Sequence, residues 1–424
     1  MIRISYLFII MLSLTKFNSS YAFHHMKNIK KSCLHATRFI MSTVDDTSLS
    51  SHHKFSVAPM MEYTDRHQRY MFSLLSSQSV LYTEMVTTNA LVRNSDDVDR
   101  FLEADFHLPN PIVLQLGGSD PKQMYEATKL AREYGYKEIN INCGCPSDKV
   151  AGKGSFGAAL MMDPDLVSEL SNACKDGMNG KAPTIKCRIG VNDNASYHEL
   201  QKFIEKVSTT AGVTHFIVHA RKAVLGANFS PHDNRSIPPL KYDYVYNLVK
   251  DFPNLSFSIN GGVHTYDDVI THLNQGVTGV MVGRSVINIP YYWKNIDSKI
   301  YHSNDPKLER AEILESYGNY ALSIEHTQGS KARRALMKPV LTLFTGEPNG
   351  KRFRAALDKL IRDESLNIKQ VFDKASEVLK YETLWGLPIV PPVRNSSEVD
   401  GVDESLVRDK EVYRYPDSLE SNMI

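Results

Sequence analysis

The sequence is poor in cysteine: its 424 residues contain five, at spacings too irregular for a disulfide framework. A cysteine that matters in this chain is therefore expected to matter chemically. The sequence also lacks an excess of charge. Its net charge of +1 at pH 7 excludes a strongly basic nucleic-acid coat but not a local basic patch. With 42% hydrophobic and 23% charged residues, the composition excludes collagen-like, coiled-coil and wholly disordered chains.

The two ends of the chain differ from its middle. Residues 6–14 are apolar over roughly half the ~20 residues that a membrane-spanning helix needs, and Ser20-Tyr21-Ala22 follows as in a signal peptide. Residues 23–44 are basic and free of acids, as in a transit peptide. We therefore predict a disordered targeting leader over residues 1–50 and a disordered acidic tail over residues 391–424. We expect import into a plastid of the apicoplast type; a mitochondrial presequence, an artefact of the start site and a cytoplasmic location are the alternatives.

Eight short β-branched or aliphatic runs alternate with helical patterns such as residues 121–134, 163–175 and 196–208. Continuous apolar runs are typical of parallel strands that are buried on both faces. Eight strand–helix units in ~230 residues predict an α/β fold, a (β/α)8 TIM barrel over residues 51–300. An open doubly wound sheet is the alternative, but Pro59-Met60-Met61 stands where that fold would carry a glycine-rich dinucleotide fingerprint. The runs are residues 55–59, 80–86, 111–116, 138–142, 183–189, 215–219, 255–260 and 277–283.

Nearly every predicted strand ends in a polar residue or a glycine, as at Glu84, Gln115, Lys186 and His219. Because the carboxyl ends of barrel strands meet at one face, where barrel enzymes assemble their sites, this recurrence predicts an active site there. A single such residue is more often a buried polar group with hydrogen-bond partners than a catalyst. Eight in one register favour a site.

Glycines follow the seventh and eighth strands, where barrels commonly bind phosphate. Asn260-Gly261-Gly262 ends the seventh strand, and Gly283-Arg284 ends the eighth. Glycines let backbone N–H groups approach an anion, and an arginine can bind it through two hydrogen bonds. The pair predicts a phosphorylated cofactor or substrate; two tight turns and a surface arginine are the alternative.

In these stretches the chain resembles the tRNA-dihydrouridine synthases, in particular their A-type subfamily. The resemblance covers residues 55–293 and extends more weakly to residue 385. It is carried by SVAPMMEYTDRHQRY (56–70), VLQLGGSDP (113–121), EININCGCPSDKV (138–150), FIVHARKA (216–223) and SPHDNRSIPPLKYDYVY (230–246).

The resemblance implies an FMN-dependent oxidoreductase that uses NADPH to reduce the C5=C6 bond of uridines in tRNA, at positions 20 and 20a of the D-loop for the A-type subfamily. It implies that Cys145 is the catalytic proton donor and that Asn142 beside it contacts tRNA. It also implies flavin contacts from Pro59, Met60, Met61, Gln115, Lys186, His219, Asn260, Gly261, Gly262, Gly283 and Arg284.

The chemistry of a thiol agrees with this role for Cys145. A cysteine thiol ordinarily titrates near pH 8.5, so it is mostly protonated at neutral pH and can protonate C5 after a hydride has reached C6. Gly144 and Pro146 predict a tight turn around it. Cys143 and a 151–157 loop one residue longer than in bacterial relatives depart from the family pattern. We expect Cys143 to be inert packing and predict no metal site, with oxidation or metal binding by the Cys143–Cys145 pair as the alternative.

Residues 301–390 follow a helical pattern and predict a separate tRNA-binding domain. Residues 331–354 contain seven basic residues, Arg334 and Lys338 among them, and one acid, Glu347. Such a cluster is typical of a surface that binds RNA phosphates; a solvated helix face is the alternative. The loop after the sixth strand extends the predicted RNA surface with Arg221, Lys222, Asn234 and Arg235.

Two other functions stay open at this point. Lys186 at a strand end also suits a barrel lyase that forms a Schiff base, and residues 308–385 also suit a non-catalytic tRNA-binding module. The resemblance favours the reductase, with tRNA as its partner. We expect the mature protein to be a monomer without stable membrane association.

Overall fold

The computed structural model describes residues 53–386, with gaps at 104–105, 148–155 and 227–228. The predicted leader, the predicted tail and most of the 151–157 loop lie outside the described residues. Within them, no helix is long and apolar enough to cross a membrane.

The predicted barrel is confirmed. Eight parallel strands pair in chain order, and the first pairs with the last to close the sheet. The strands coincide with the apolar runs because these residues are buried between the barrel interior and the surrounding helices. The strands are β1 (Phe55–Val57), β2 (Val80–Thr87), β3 (Ile112–Gly117), β4 (Ile139–Cys143), β5 (Thr184–Arg188), β6 (His215–His219), β7 (Ser256–Asn260) and β8 (Gly279–Val282).

The helices begin where the sequence offers caps. The side chain of Asp120 accepts hydrogen bonds from the N–H groups of Lys122 and Gln123, and Pro121 follows it, so a helix starts there. The helices up to residue 301 are α1 (Arg66–Ser73), α2 (Thr88–Arg93), α3 (Asp99–Leu102), α4 (Pro121–Tyr134), α5 (Pro164–Gly177), α6 (Tyr197–Ala211), α7 (Asp233–Ser236), α8 (Tyr242–Asp251), α9 (Tyr266–Asn274), α10 (Arg284–Asn288) and α11 (Ile296–Tyr301).

The base of the barrel, at the start of the strands, is closed by a polar network. His53 Nε2 lies 3.2 Å from Glu138 Oε2, and His215 Nε2 lies 2.8 Å from Ser258 Oγ. The His53 and His215 rings meet edge to face at 4.7 Å. Burial is the largest influence on His215 and lowers its pKa to about 3, so this imidazole is neutral. This end of the barrel is therefore packed, which leaves the opposite mouth for a site.

The described residues after 301 are mostly helical, as predicted, and pack on the barrel through α1. The Tyr70 and Tyr320 rings stack at 3.8 Å, and His67 Nδ1 lies 2.9 Å from the Tyr320 hydroxyl. The division into domains at residue 301 stays a prediction. The helices are α12 (Arg310–Gln328), α13 (Arg333–Met337), α14 (Gly350–Leu360), α15 (Ile368–Ser376) and α16 (Tyr381–Trp385).

Candidate active site

A chain of amide side chains crosses the inner wall of the barrel mouth. Asn140 Nδ2 donates to Thr184 Oγ1 at 2.9 Å, and Gln115 Nε2 donates to Asn140 Oδ1 at 2.8 Å. Asn142 Nδ2 in turn donates to Gln115 Oε1 at 2.9 Å. All four side chains are buried, so the low dielectric strengthens these hydrogen bonds. This series of hydrogen bonds fixes the orientation of the Asn142 side chain at the end of β4.

Asn142 holds the turn that carries Cys145. Its Oδ1 accepts the backbone N–H of Gly144 at 3.0 Å and that of Cys145 at 2.9 Å. The Cys145 carbonyl accepts the N–H of Ala158 at 2.8 Å, which ties the far side of the turn. Cys145 itself is half-buried. The Cys145 thiol therefore lies on a hydrogen-bonded turn at the barrel mouth, which is the position that the sequence predicts.

Cys143 lies on the opposite face of β4 from this turn. It is fully buried and pairs in register with Cys187 of β5. Burial, followed by the neighbouring Cys187 thiol, raises the pKa of Cys143 well above its ordinary value, so this thiol stays protonated. A packing role for Cys143 agrees with this environment.

Lys186 lies inside the barrel mouth and is half-buried. Its Nζ donates to Asn260 Oδ1 at 3.2 Å, across from β5 to β7, and Asn260 Nδ2 donates to the Met281 carbonyl at 2.8 Å. Burial, followed by the Arg188 cation, lowers the pKa of Lys186 to about 8. The mouth therefore has a central cation that loses its charge in mildly alkaline solution.

A glycine turn lies at the end of β7. Gly261 has φ of +112° and Gly262 has φ of +73°, and a Cβ on Gly262 would lie 2.5 Å from the Tyr242 hydroxyl. That hydroxyl donates to the Gly261 carbonyl at 2.9 Å and pins the turn. Only glycine suits both positions. The geometry of this glycine turn is consistent with the predicted close approach of backbone N–H groups to an anion.

Positive charge converges on His219, which is half-buried at the end of β6. Burial lowers its pKa well below the ordinary value, and the cations Arg188, Lys186, Arg221 and Arg284 lower it further, in that order. A neutral imidazole surrounded by four cations at the end of β5, β6 and β8 is an environment that suits a bound anion.

The other predicted cofactor residues border the same mouth. Pro59 and Met60 are half-buried, and the Met60 sulfur lies 3.6 Å from the position of a Cβ on Gly283. Met61 is 56% exposed. Arg284 is exposed, and its Nη2 donates to the Arg235 carbonyl at 3.4 Å.

The loop after β6 uses several of its predicted RNA-contacting side chains internally. Asn234 is fully buried, and its amide bonds to the backbone of Val224 and Ser230. Lys222 Nζ donates to the Asn192 carbonyl at 3.1 Å, and Arg221 donates to the Pro238 carbonyl. Arg235 is exposed. Asn234 therefore shapes the loop, whereas Arg235 lies on its surface.

The basic cluster of the helical region contains both exposed and buried side chains. Arg334 is exposed, and Lys338 Nζ donates to the Glu62 carbonyl at 3.3 Å, beside the mouth. Arg333, by contrast, is buried and paired with Glu325. Arg334 and Lys338 thus extend a basic surface from the helical region to the barrel mouth.

Sequence reasoning missed Arg188 at the mouth, and it named Glu84 only as a polar residue at a strand end. Burial, followed by the Asp65 carboxylate, raises the pKa of Glu84, which accepts the Glu62 N–H. Arg188 at the end of β5 is 3% exposed and bonds to backbone carbonyls of two loops. Both stand at predicted strand ends, which was the available signal, but their partners are backbone groups that no motif encodes.

Comparison with known proteins gives a family and close relatives. The family described as dihydrouridine synthase (Dus) matches residues 56–378. A tRNA-dihydrouridine(20/20a) synthase of Pseudomonas putida is 41% identical over 80% of this chain and 98% of its own length. Proteins of the same name from Synechocystis sp. and Escherichia coli (strain K12) are each 42% identical, over 73% and 72% of this chain and 89% and 86% of their own lengths.

Proposed function

This chain belongs to the dihydrouridine synthase family, and we propose that it reduces uridines of tRNA to dihydrouridine with FMN as cofactor and NADPH as reductant. The names of its relatives support uridines 20 and 20a as the targets. One observation carries the proposal: the half-buried thiol of Cys145 lies on a hydrogen-bonded turn after β4, and a turn that requires Gly261 and Gly262 follows β7. In an eight-stranded barrel these strand ends lie on opposite sides of the mouth.

The residues at the mouth fit FMN. The turn at Gly261 and Gly262 has no room for side chains, so backbone can approach a phosphate, and Arg284 adjoins it. Lys186 and Gln115 would hold the polar edge of the isoalloxazine ring, and Met60 would line its face. Of the four cations around His219, Lys186 and the exposed Arg284 would attract a phosphorylated anion, whereas Arg188 and Arg221 donate to backbone carbonyls. When bound, reduced FMN supplies the hydride for C6 of the uracil.

Cys145 would provide the proton for C5. The S–H bond breaks, the C5–H bond forms, and the electron pair stays on sulfur until solvent reprotonates it. Asn142 fixes the direction of the thiol by binding the two N–H groups of its turn. Lys186 and Arg188 both interact electrostatically with Cys145, so they would stabilise the thiolate left behind.

The target uracil must leave the base stack to reach this mouth, as for other enzymes that modify bases. Arg235, Arg334 and Lys338 would hold the RNA backbone around the mouth, and Arg221, Lys222 and Asn234 would support the loop that presents Arg235. Such contacts position RNA without reading its sequence.

Absorbance and turnover of the purified full chain test the proposal. The expected protein is yellow with bound FMN, oxidises NADPH faster with unmodified tRNA than with fully modified tRNA, and leaves dihydrouridine at positions 20 and 20a. A colourless protein that is trapped by borohydride through Lys186 would instead indicate Schiff-base chemistry. A protein that binds tRNA without forming dihydrouridine would be a binding module.

We also propose that residues 1–50 direct import into an organelle, with an apicoplast-type plastid as the first candidate. Fusion of these residues to a fluorescent protein is expected to label that organelle. Cytoplasmic fluorescence would refute import, and mitochondrial fluorescence would reassign it.

A further inference from the structure

One buried guanidinium joins the two loops on which the proposed reaction depends. Arg188 Nε donates to the Gly144 carbonyl at 2.9 Å, next to Cys145. Its Nη1 donates to the Asn234 carbonyl at 3.0 Å, next to Arg235, and to the Lys222 carbonyl at 3.1 Å. The tethered peptide groups thus adjoin the predicted proton donor and the exposed RNA-facing arginine.

The environment of Arg188 is costly for a residue with only a packing role. The side chain is 3% exposed, and within the described part of the chain no carboxylate lies within ion-pair distance of it. A buried cation without a carboxylate is expensive unless its N–H groups find acceptors. Here the acceptors are three backbone carbonyls. Each of these hydrogen bonds also restrains the loop to which the carbonyl belongs.

We propose that Arg188 is a positioning residue that couples the loop after β6 to the Cys145 turn, so that RNA bound by the first loop presents its uracil to the thiol of the second. The inference rests on the proposed function. Asn192 provides the contrast: its side-chain oxygen accepts the Leu225 N–H of the same loop at 2.8 Å, and among the described residues it makes no hydrogen bond to the Cys145 turn.

The substitutions Arg188→Lys and Arg188→Gln separate tethering from charge. Lysine keeps the positive charge, but one ammonium at the end of an unbranched chain cannot reproduce the planar fork that reaches both loops. Asn192→Gly is the matched variant, since it loosens the same loop without touching the thiol turn, and glycine tolerates the φ of +51° at this position. All three would be compared as FMN-loaded full-length proteins, with flavin content and flavin reduction by NADPH without tRNA measured first.

The kinetic readout is single-turnover dihydrouridine formation at rising tRNA concentration. Both Arg188 variants are expected to lose at least ~10-fold in rate at saturating tRNA, since small misplacements of reacting groups cost up to about 100-fold. Asn192→Gly is expected to bind tRNA more weakly, because the loop that presents Arg235 is less restrained, and to recover a rate close to that of the wild type at saturation. A wild-type rate in Arg188→Lys would assign the effect to charge and overturn the proposal. Loss of flavin in both Arg188 variants would overturn it too, because Arg188 would then serve folding or cofactor binding.

A second readout does not depend on catalysis. If the loops are coupled, saturating tRNA protects Cys145 from iodoacetamide in the wild type and in Asn192→Gly but not in the two Arg188 variants. Equal protection in all four proteins would contradict the coupling. Wild-type protein that shows protection but forms no dihydrouridine would refute the proposed function and leave the coupling standing.

Discussion

The side-chain oxygen of Asn142 accepts the backbone N–H of Cys145 at 2.9 Å, so the residue before the thiol turn sets the direction of the thiol. The Asn142 side chain is itself fixed by Gln115. An RNA contact by Asn142, which the family resemblance implies, would have to share a side chain that already makes three hydrogen bonds within the protein.

We expect Asn142→Ala to slow single-turnover dihydrouridine formation by about 10-fold or more, because two N–H groups of the thiol turn lose the oxygen that accepts both of them. It should also reduce the free energy of unfolding by about 1–3 kcal/mol, since buried polar groups are left without partners. Asn94→Ala is the control, since Asn94 is exposed and its side chain donates to the Ala90 carbonyl of α2. An Asn142→Ala protein that reacts at the wild-type rate would show that the Cys145 turn keeps its geometry without the Asn142 side chain.

A substitution in the glycine turn tests the predicted phosphate site. In Gly262→Ala the new Cβ would lie 2.5 Å from the Tyr242 hydroxyl, so the turn must move and FMN affinity should fall at least ~10-fold. Gly329→Ala is the matched control: its φ is +75° and a Cβ there meets open space. Both substitutions should cost about 1–3 kcal/mol in backbone strain, since each places a side chain at a positive φ. Equal FMN affinity in the two variants, by equilibrium dialysis, would place the phosphate elsewhere.

Whether the role of a residue in this site can be predicted from the sequence depends on the group that its side chain contacts. The β5 run was readable because its apolar residues face the helices, and Gly261 and Gly262 were readable because only glycine tolerates that turn. The partners of Arg188 and Asn234 are backbone carbonyls and N–H groups far along the chain, and these carry no residue signature. Arg333 counted toward the basic cluster, yet its pairing with Glu325 follows from how α12 and α13 pack, which charge patterning does not reveal.

FMN affinity should depend on pH through Lys186. Its pKa is lowered to about 8, so its charge is present below pH 8 and is lost as pH rises through that value. The affinity for FMN that binds through an anionic edge of its ring should therefore be up to about tenfold lower at pH 9 than at pH 7. Titration in a Cys145→Ala background removes the thiol as a competing group, and Lys186→Arg should flatten the profile. An unchanged profile in Lys186→Arg would assign the pH dependence to another group.

The base of the barrel should make folding sensitive to acid. The pKa of His215 is lowered to about 3 in the folded chain, so between pH 6.5 and 3 the unfolded state binds a proton that the folded state does not. Stability is therefore present above pH 6.5 and is lost as the pH falls, by about 2 kcal/mol from pH 7 to 5. Urea unfolding should show that His215→Gln, which keeps a partner for Ser258, loses less stability over this range. Parallel pH profiles for both proteins would contradict the assignment.

Delivery of the proton to C5 by the Cys145 thiol is tested by single-turnover formation of dihydrouridine in Cys145→Ala protein whose FMN has been reduced beforehand. Cys174→Ser is the matched control, since Cys174 lies on the buried face of α5. We expect Cys145→Ala to keep its flavin and its tRNA binding while the rate falls by about 100-fold or more, and Cys174→Ser to react at close to the wild-type rate. A Cys145→Ala protein that forms dihydrouridine as fast as the wild type would contradict this role of the thiol.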